Sequence, residues 1–134
     1  MAGLSRPAFA TEFLSLAEAA VMYDVPSDKG KPLYVIQRYT PVEVVVNLER
    51  WVKVRDSDGS IAWVQKSSLT PTRTLITTIL AQVRQAADAA APIIFQADRH
   101  VALELLEVPL PGWARVKHRD GQEGYVRVEQ VWGL

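Results

Sequence analysis

The chain has 134 residues, of which 49% are hydrophobic, and this balance excludes a disordered chain and fits one ordinary domain or two very small ones. Fifteen basic and fifteen acidic residues give a formal net charge of zero, so no nucleic-acid partner is expected, because proteins of that class carry a basic excess. The sequence contains no cysteine, which excludes disulfides, thiolate metal sites and cysteine nucleophiles.

Residues 1–13 are predicted to be an N-terminal tail. Within it, Ala8-Phe9-Ala10 has the small-x-small pattern of a signal-peptidase site. Residues 1–7 supply neither the basic start nor the apolar run of a signal peptide. Two interpretations stay open, the remnant of an export signal and an ordinary tail. No stretch approaches the roughly 18 apolar residues that cross a bilayer, so no membrane span is expected.

The next part of the chain has the pattern of short strands joined by turns. Val42–Val46 is apolar and largely β-branched, and residues 51–55 (WVKVR) alternate with the period of a half-buried strand. Asp58-Gly59 then predicts a tight hairpin turn before a further strand at Ile61–Gln65. The earlier segment Val21–Lys31 is interpreted as a loop that can hold a helical turn.

The middle of the chain does not have the composition of a flexible linker. Residues 70–80 are rich in Thr and Ile, and no glycine occurs between Gly59 and Gly112. Flexible linkers have the opposite composition. A strand is therefore predicted at Leu75–Leu80, and the parts on either side are expected to pack as one rigid body. Two independent units are the alternative.

The chain is an internal duplication. Residues 51–64 and 113–126, 62 positions apart, are identical at five places and alike in kind at five more. The segment Ala81–Ala91 matches the first loop and is interpreted in the same way. We assign repeat 1 to residues 14–78 and repeat 2 to residues 79–134, and the fold class is predicted to be all-β.

With its "Val-Glu-Val-Val" strand, its "Trp-Val-Lys-Val-Arg" strand, the Gly turn and the final "Ala-Trp-Val" or "Gly-Tyr-Val", the unit resembles the bacterial SH3-like (SH3b) domain. The resemblance covers residues 14–134 and implies two tandem five-stranded barrels packed together. The whole chain is also similar to tandem-repeat proteins of proteobacteria that are typically secreted, which implies a periplasmic or secreted location. The pattern is specific for the fold and says little about the ligand.

The sequence offers little for catalysis. His100 and His118 do not have metal-ligand spacing, and there is no nucleophile elbow, P-loop or dinucleotide fingerprint. Asp56-Ser57-Asp58-Gly59 lacks the later ligands of a calcium loop. We therefore expect no enzyme activity and no cofactor.

Aromatic residues carry the functional prediction. Trp51 alternates with Val52 and Val54, and Trp113 stands at the same place in repeat 2. If the valines face the core, both tryptophans face outward and can form a binding platform. The alternative is that each tryptophan covers a barrel end or lies between the repeats.

Repeat 1 is the better candidate for a groove, because repeat 2 has Gln85 where repeat 1 has Tyr23. The candidate ligand-binding residues are Tyr23, Tyr39, Trp51 and Trp113. Trp132 is expected to fix the C-terminus onto a barrel.

Three functions are compatible with these residues. The first is a non-catalytic, exported module that binds cell-wall peptide or glycan. The second is an adaptor that binds an extended segment of an envelope protein. The third is a structural subunit that self-associates, and the sequence leaves the oligomeric state open.

Overall fold

The computed structural model describes residues 11–134 of the chain. Ala8-Phe9-Ala10, on which the export interpretation rests, lies outside the described residues. Two antiparallel sheets of seven strands each follow one another along the chain. We call them the first half and the second half.

The first half contains β1 to β7 and the second half β8 to β14, with one short 3-10 helix before the last strand of each. The first-half strands are Phe13–Leu16, Ala20–Tyr23, Pro32–Ile36, Pro41–Asn47, Trp51–Arg55, Ile61–Gln65 and Leu69–Thr70. The second-half strands are Thr74–Thr77, Ala81–Arg84, Ile93–Ala97, Ala102–Leu110, Trp113–Lys117, Glu123–Arg127 and Val131–Trp132. The 3-10 helices are Lys66–Ser68 and Val128–Gln130.

The strand order confirms an all-β fold made of two equivalent units. It is β3-β2-β6-β5-β4-β1-β7 in the first half, and the corresponding strands follow the same order in the second. The structure corrects the prediction of five-stranded barrels, because each half is a seven-stranded sheet whose end strands do not pair with each other. The interpretation of Val21–Lys31 and Ala81–Ala91 as loops is wrong at their starts, which are β2 and β9. Strand β2 has no polar position with which its apolar residues could alternate, and the alanines that follow β9 favour helix.

The second sheet begins earlier in the chain than the boundary between residues 78 and 79. Strand β8 pairs with β11 and β14 and therefore belongs to the second half. The strand predicted at Leu75–Leu80 is present but ends at Thr77. Only three residues separate β7 from β8, so the connection between the halves is short.

Each half has its own hydrophobic core. The alternation seen in the sequence is borne out, since Val52 and Val54 are 1% exposed and their counterparts Ala114 and Val116 are fully buried. The first core comprises Leu16, Met22, Ile36, Val42, Val52, Val54, Ala62 and Val64. The second comprises Leu75, Ala81, Val83, Leu103, Ala114, Val116, Val126 and Val131. Two separate cores mean that each half has its own source of stability.

A buried threonine hydroxyl joins two parts of the second half. Thr77 is fully buried, and its Oγ1 donates to the carbonyl of Asp98 at 2.6 Å and accepts from the backbone N–H of Val101 at 2.8 Å. Thr77→Val leaves both backbone groups without this partner. We expect a loss of about 2 kcal/mol in the free energy of unfolding, measured by urea denaturation. Thr77→Ser keeps the hydroxyl and should lose clearly less. Equal losses in both variants would contradict this role for the hydroxyl.

The halves are packed together, as the composition of the join predicts. The rings of Phe13 and Trp132 meet edge to face with 5.2 Å between centroids. Arg73 lies in the connection, donates from Nη2 to the carbonyl of Gly133 at 2.7 Å and stacks on Phe13. Trp132 thus fixes the end of the chain onto the opposite half.

Candidate ligand groove

A groove of about 700 Å³ lies at one end of the first half. Three segments line it, each at the end of a strand or in a turn. They are Pro26–Asp28, Glu49–Trp51 and Gln65–Ser67. Trp51 is the aromatic residue among the lining side chains, so the groove forms around one of the predicted site residues.

Hydrogen bonds within the turn after β2 hold the first wall of the groove. The carboxylate of Asp24 accepts from the backbone N–H of Lys31 at 2.8 Å, and Ser27 Oγ accepts from that of Lys29 at 3.1 Å. Gly30 closes the turn, where a Cβ would stand 2.7 Å from Val25 Cγ2. The turn is therefore compact and presents a defined wall.

The second and third walls are tied to each other by strand pairing. Trp51 lies opposite Gln65 in the β5–β6 register. One residue beyond, the backbone N–H of Lys66 donates to the carbonyl of Arg50 at 2.9 Å. These bonds fix the Trp51 backbone at the start of its strand.

Tyr23 supports Trp51 from the side. Their rings are nearly perpendicular, with centroids 5.6 Å apart, a geometry that aromatic pairs favour. Both side chains are partly exposed. The structure therefore brings together two of the predicted residues and leaves Trp51 accessible.

Tyr39 does not join this pair, and the aromatic groove predicted from Tyr23, Trp51 and Tyr39 needs this correction. Tyr39 has a φ of 71°, in the left-handed region that non-glycine residues rarely occupy. Its carbonyl accepts from Thr74 Oγ1 at 2.6 Å. Tyr39 is thus a residue of the contact between the halves.

The prediction that both tryptophans face outward is wrong for Trp113. Its side chain is only 7% exposed, and the Arg127 guanidinium lies 4.8 Å from its ring centroid. Arg127 occupies in the second half the register position that Gln65 occupies in the first. The register also places Arg84, and not Gln85, where the first half has Tyr23.

The charges that line the groove are mixed. Asp28 and Glu49 contribute two carboxylates, and Arg50 and Lys66 contribute two cations. The sequence did not identify these four residues as site residues, because they lie in turns and at strand ends, where alternation does not indicate which side chains face the core. A groove with both signs of charge beside an aromatic ring suits an extended polar ligand.

Two negative findings apply to residues 11–134. They contain no group of three or more His, Asp or Glu side chains placed to hold a metal ion. They also contain no helix with the length and apolar character needed to cross a membrane.

A model of the bacterial SH3 domain family matches residues 17–71 and 80–133. No curated protein matches the chain. Among solved structures, NlpC2 from Trichomonas vaginalis is 17% identical with a TM-score of 0.43, over 93% of this chain and 49% of that one. NlpC1 from the same organism is 15% identical with a TM-score of 0.43, over 100% and 51%.

An NlpC/P60 family protein from Bacillus cereus is 14% identical with a TM-score of 0.40, over 90% of this chain and 55% of that one. The chain therefore spans about half the length of the solved structures that it resembles.

Proposed function

The chain belongs to the bacterial SH3 domain family, and from this premise we propose that it is a non-catalytic binding module whose ligand occupies the groove at Trp51. The observation that carries the proposal is the open groove of about 700 Å³ around a partly exposed tryptophan. Clefts of this size are typical of ligand sites. Trp51 supplies the contact surface, Tyr23 supports it from the side, and Trp113 has a structural role under Arg127.

The ligand that we propose is the peptide or glycan of the cell wall. The groove pairs an indole face with two carboxylates and two cations. A peptide that carries both amino and carboxyl groups can meet both charges while its chain lies along Trp51. Sugar rings can stack on the same indole. A cell-wall ligand also requires a periplasmic or secreted protein, in agreement with the export interpretation of Ala8-Phe9-Ala10.

Pelleting with purified bacterial sacculi tests the proposal. Wild-type protein should be retained, and Trp51→Ala should bind at least about 30-fold more weakly, because a central tryptophan commonly contributes 2 kcal/mol or more to binding. Gln65→Arg, which copies the second half, should also reduce retention by covering Trp51. Circular dichroism shows that each variant is folded.

Tyr125→Ala is the matched control, since Tyr125 is a partly exposed aromatic residue of the second half. It should leave retention unchanged. If Tyr125→Ala lost as much retention as Trp51→Ala, the assignment of the groove would be overturned. No retention of the wild type would overturn the cell-wall ligand. A partner captured from envelope extract and lost on Trp51→Ala would then support the adaptor.

A further inference from the structure

A second cleft lies between the two halves, away from the Trp51 groove. It has a volume of about 360 Å³, within the range of small-molecule sites. The first half contributes residues 37–40, which connect β3 to β4. The second half contributes Ile76, residues 100–102 and the turn residues His118 and Arg119. Such a boundary between two units is a common position for ligand sites.

The side chains that line this cleft carry only one sign of charge. Arg38 and Arg119 are the charged residues, His100 and His118 are the titratable ones, and no Asp or Glu is among the described residues that line it. Neither arginine forms an ion pair within residues 11–134. The whole chain has no net charge, so the positive charge here is local.

The two halves differ in charge at the equivalent hairpin turn. In the first half the turn begins Asp56-Ser57, and Asp56 Oδ1 accepts from the backbone N–H of Asp58 at 3.0 Å. In the second half the same places hold His118 and Arg119, and His118 Nδ1 accepts from the backbone N–H of Asp120 at 3.2 Å. His118 thus makes the hydrogen bond that Asp56 makes in the first half, and the second half has basic residues where the first half has Asp56 and Ser57.

The ring of His118 has one nitrogen left for a ligand. Its Nδ1 is engaged by Asp120, whose carboxylate Oδ1 lies 3.0 Å away. The pKa of Asp120 is lowered mainly by the hydrogen bond from the backbone N–H of Gln122, and His118 lowers it further. Because Nδ1 accepts from the backbone N–H of Asp120, the ring proton is on Nε2, which can donate to a ligand.

At the two ends of the cleft, positive and negative charges are more nearly balanced. At one end His100 Nε2 lies 4.0 Å from Asp58 Oδ1, and this carboxylate also lies 4.0 Å from Arg99. At the other end an adjoining cleft of about 280 Å³ adds Glu104 and Lys117, which face each other in the β11–β12 register. The excess of positive charge is therefore concentrated at Arg38 and Arg119.

We propose that the cleft between the halves binds an oxyanion, the carboxylate or phosphate group of a small organic molecule. Two guanidinium groups and an imidazole N–H supply charge-assisted hydrogen bonds of the kind that such groups accept. The site is independent of the Trp51 groove and draws its residues from both halves. It gives the duplicated fold a binding surface that a single repeat does not contain.

Titration with inorganic phosphate and, separately, with acetate tests the proposal, followed by NMR chemical shifts at constant ionic strength. Arg119→Gln and Arg38→Gln should each weaken binding about tenfold, because one hydrogen bond to a charged group is worth that much. Lys29→Gln is the matched control: it removes the same charge from an exposed residue that lines neither this cleft nor the Trp51 groove. It should leave binding unchanged.

A response to phosphate alone or to acetate alone would support the site and identify the group that it takes. The proposal would be overturned by equal weakening in all three variants, which indicates diffuse attraction, or by failure of both anions to shift resonances of the cleft. Trp51→Ala should leave the titration unchanged, so that failure of the anion site and failure of the groove are distinguishable.

Discussion

Replacing Trp132 by alanine is expected to lower the free energy of unfolding by about 3 kcal/mol and to split unfolding into two transitions. The loss follows from removing a large aromatic ring that packs on Phe13 of the opposite half. The split follows from the two separate cores, because each half can unfold alone once the contact between them weakens. Urea unfolding followed by circular dichroism measures both effects.

Two variants control this experiment. Trp132→Phe keeps an aromatic ring against Phe13 and should keep a single transition with a smaller loss. Leu134→Ala removes an exposed side chain two residues further along and should change little. A single transition with an unchanged midpoint in Trp132→Ala would contradict the role given to this contact.

Gly124→Ala is expected to destabilise the protein by about 3 kcal/mol, at the upper end of the range for overpacking a core. A Cβ at this position would stand 2.5 Å from Val83 Cγ1 and 2.8 Å from the backbone carbonyl oxygen of Arg84. The valine is β-branched and fully buried, and the carbonyl belongs to strand β9, so neither can move freely. Thermal or urea unfolding measures the loss.

The first half supplies the comparison for this variant. It has Ala62 at the equivalent place, and the fully buried residue that corresponds to Val83 is the more adaptable Met22. The double variant Val83→Ala with Gly124→Ala should therefore be less destabilised than the sum of the two single variants. Additive losses would show that the close approach to Val83 does not limit this position.

Alternation in the sequence predicted strand β5, and the hairpin turn after it predicted strand β6. Strands β5, β6, β12 and β13 alternate because each has one side on a core and the other toward solvent. Strands β2 and β9 were missed because Pro26 and Gly30 follow β2 and because the alanines of residues 86–91 follow β9, so that each whole segment was interpreted as a loop with a helical turn. The two-residue strands β7 and β14 form by pairing with β1 and β8, which local sequence does not reveal.

The sequence was also insufficient to predict which side chains of the candidate site are accessible. The repeat pattern treats Trp51 and Trp113 alike, whereas in the structure Trp51 lies opposite Gln65 and is partly exposed, and Trp113 lies opposite Arg127 and is buried. Tyr39 was assigned to the groove by nearness in sequence. Its left-handed backbone and its hydrogen bond to Thr74 direct it to the contact between the halves.

The guanidinium of Arg127 over Trp113 has a consequence for valency. A tandem protein with two equivalent grooves gains avidity, since the second contact is made at a high effective concentration. Here the covered indole leaves Trp51 as the exposed member of the pair. Within residues 11–134, the proposed ligand therefore meets one tryptophan groove and gains no avidity from the second half. On a polymer with many ligand sites, neighbouring sites then favour rebinding after release but do not slow the release itself.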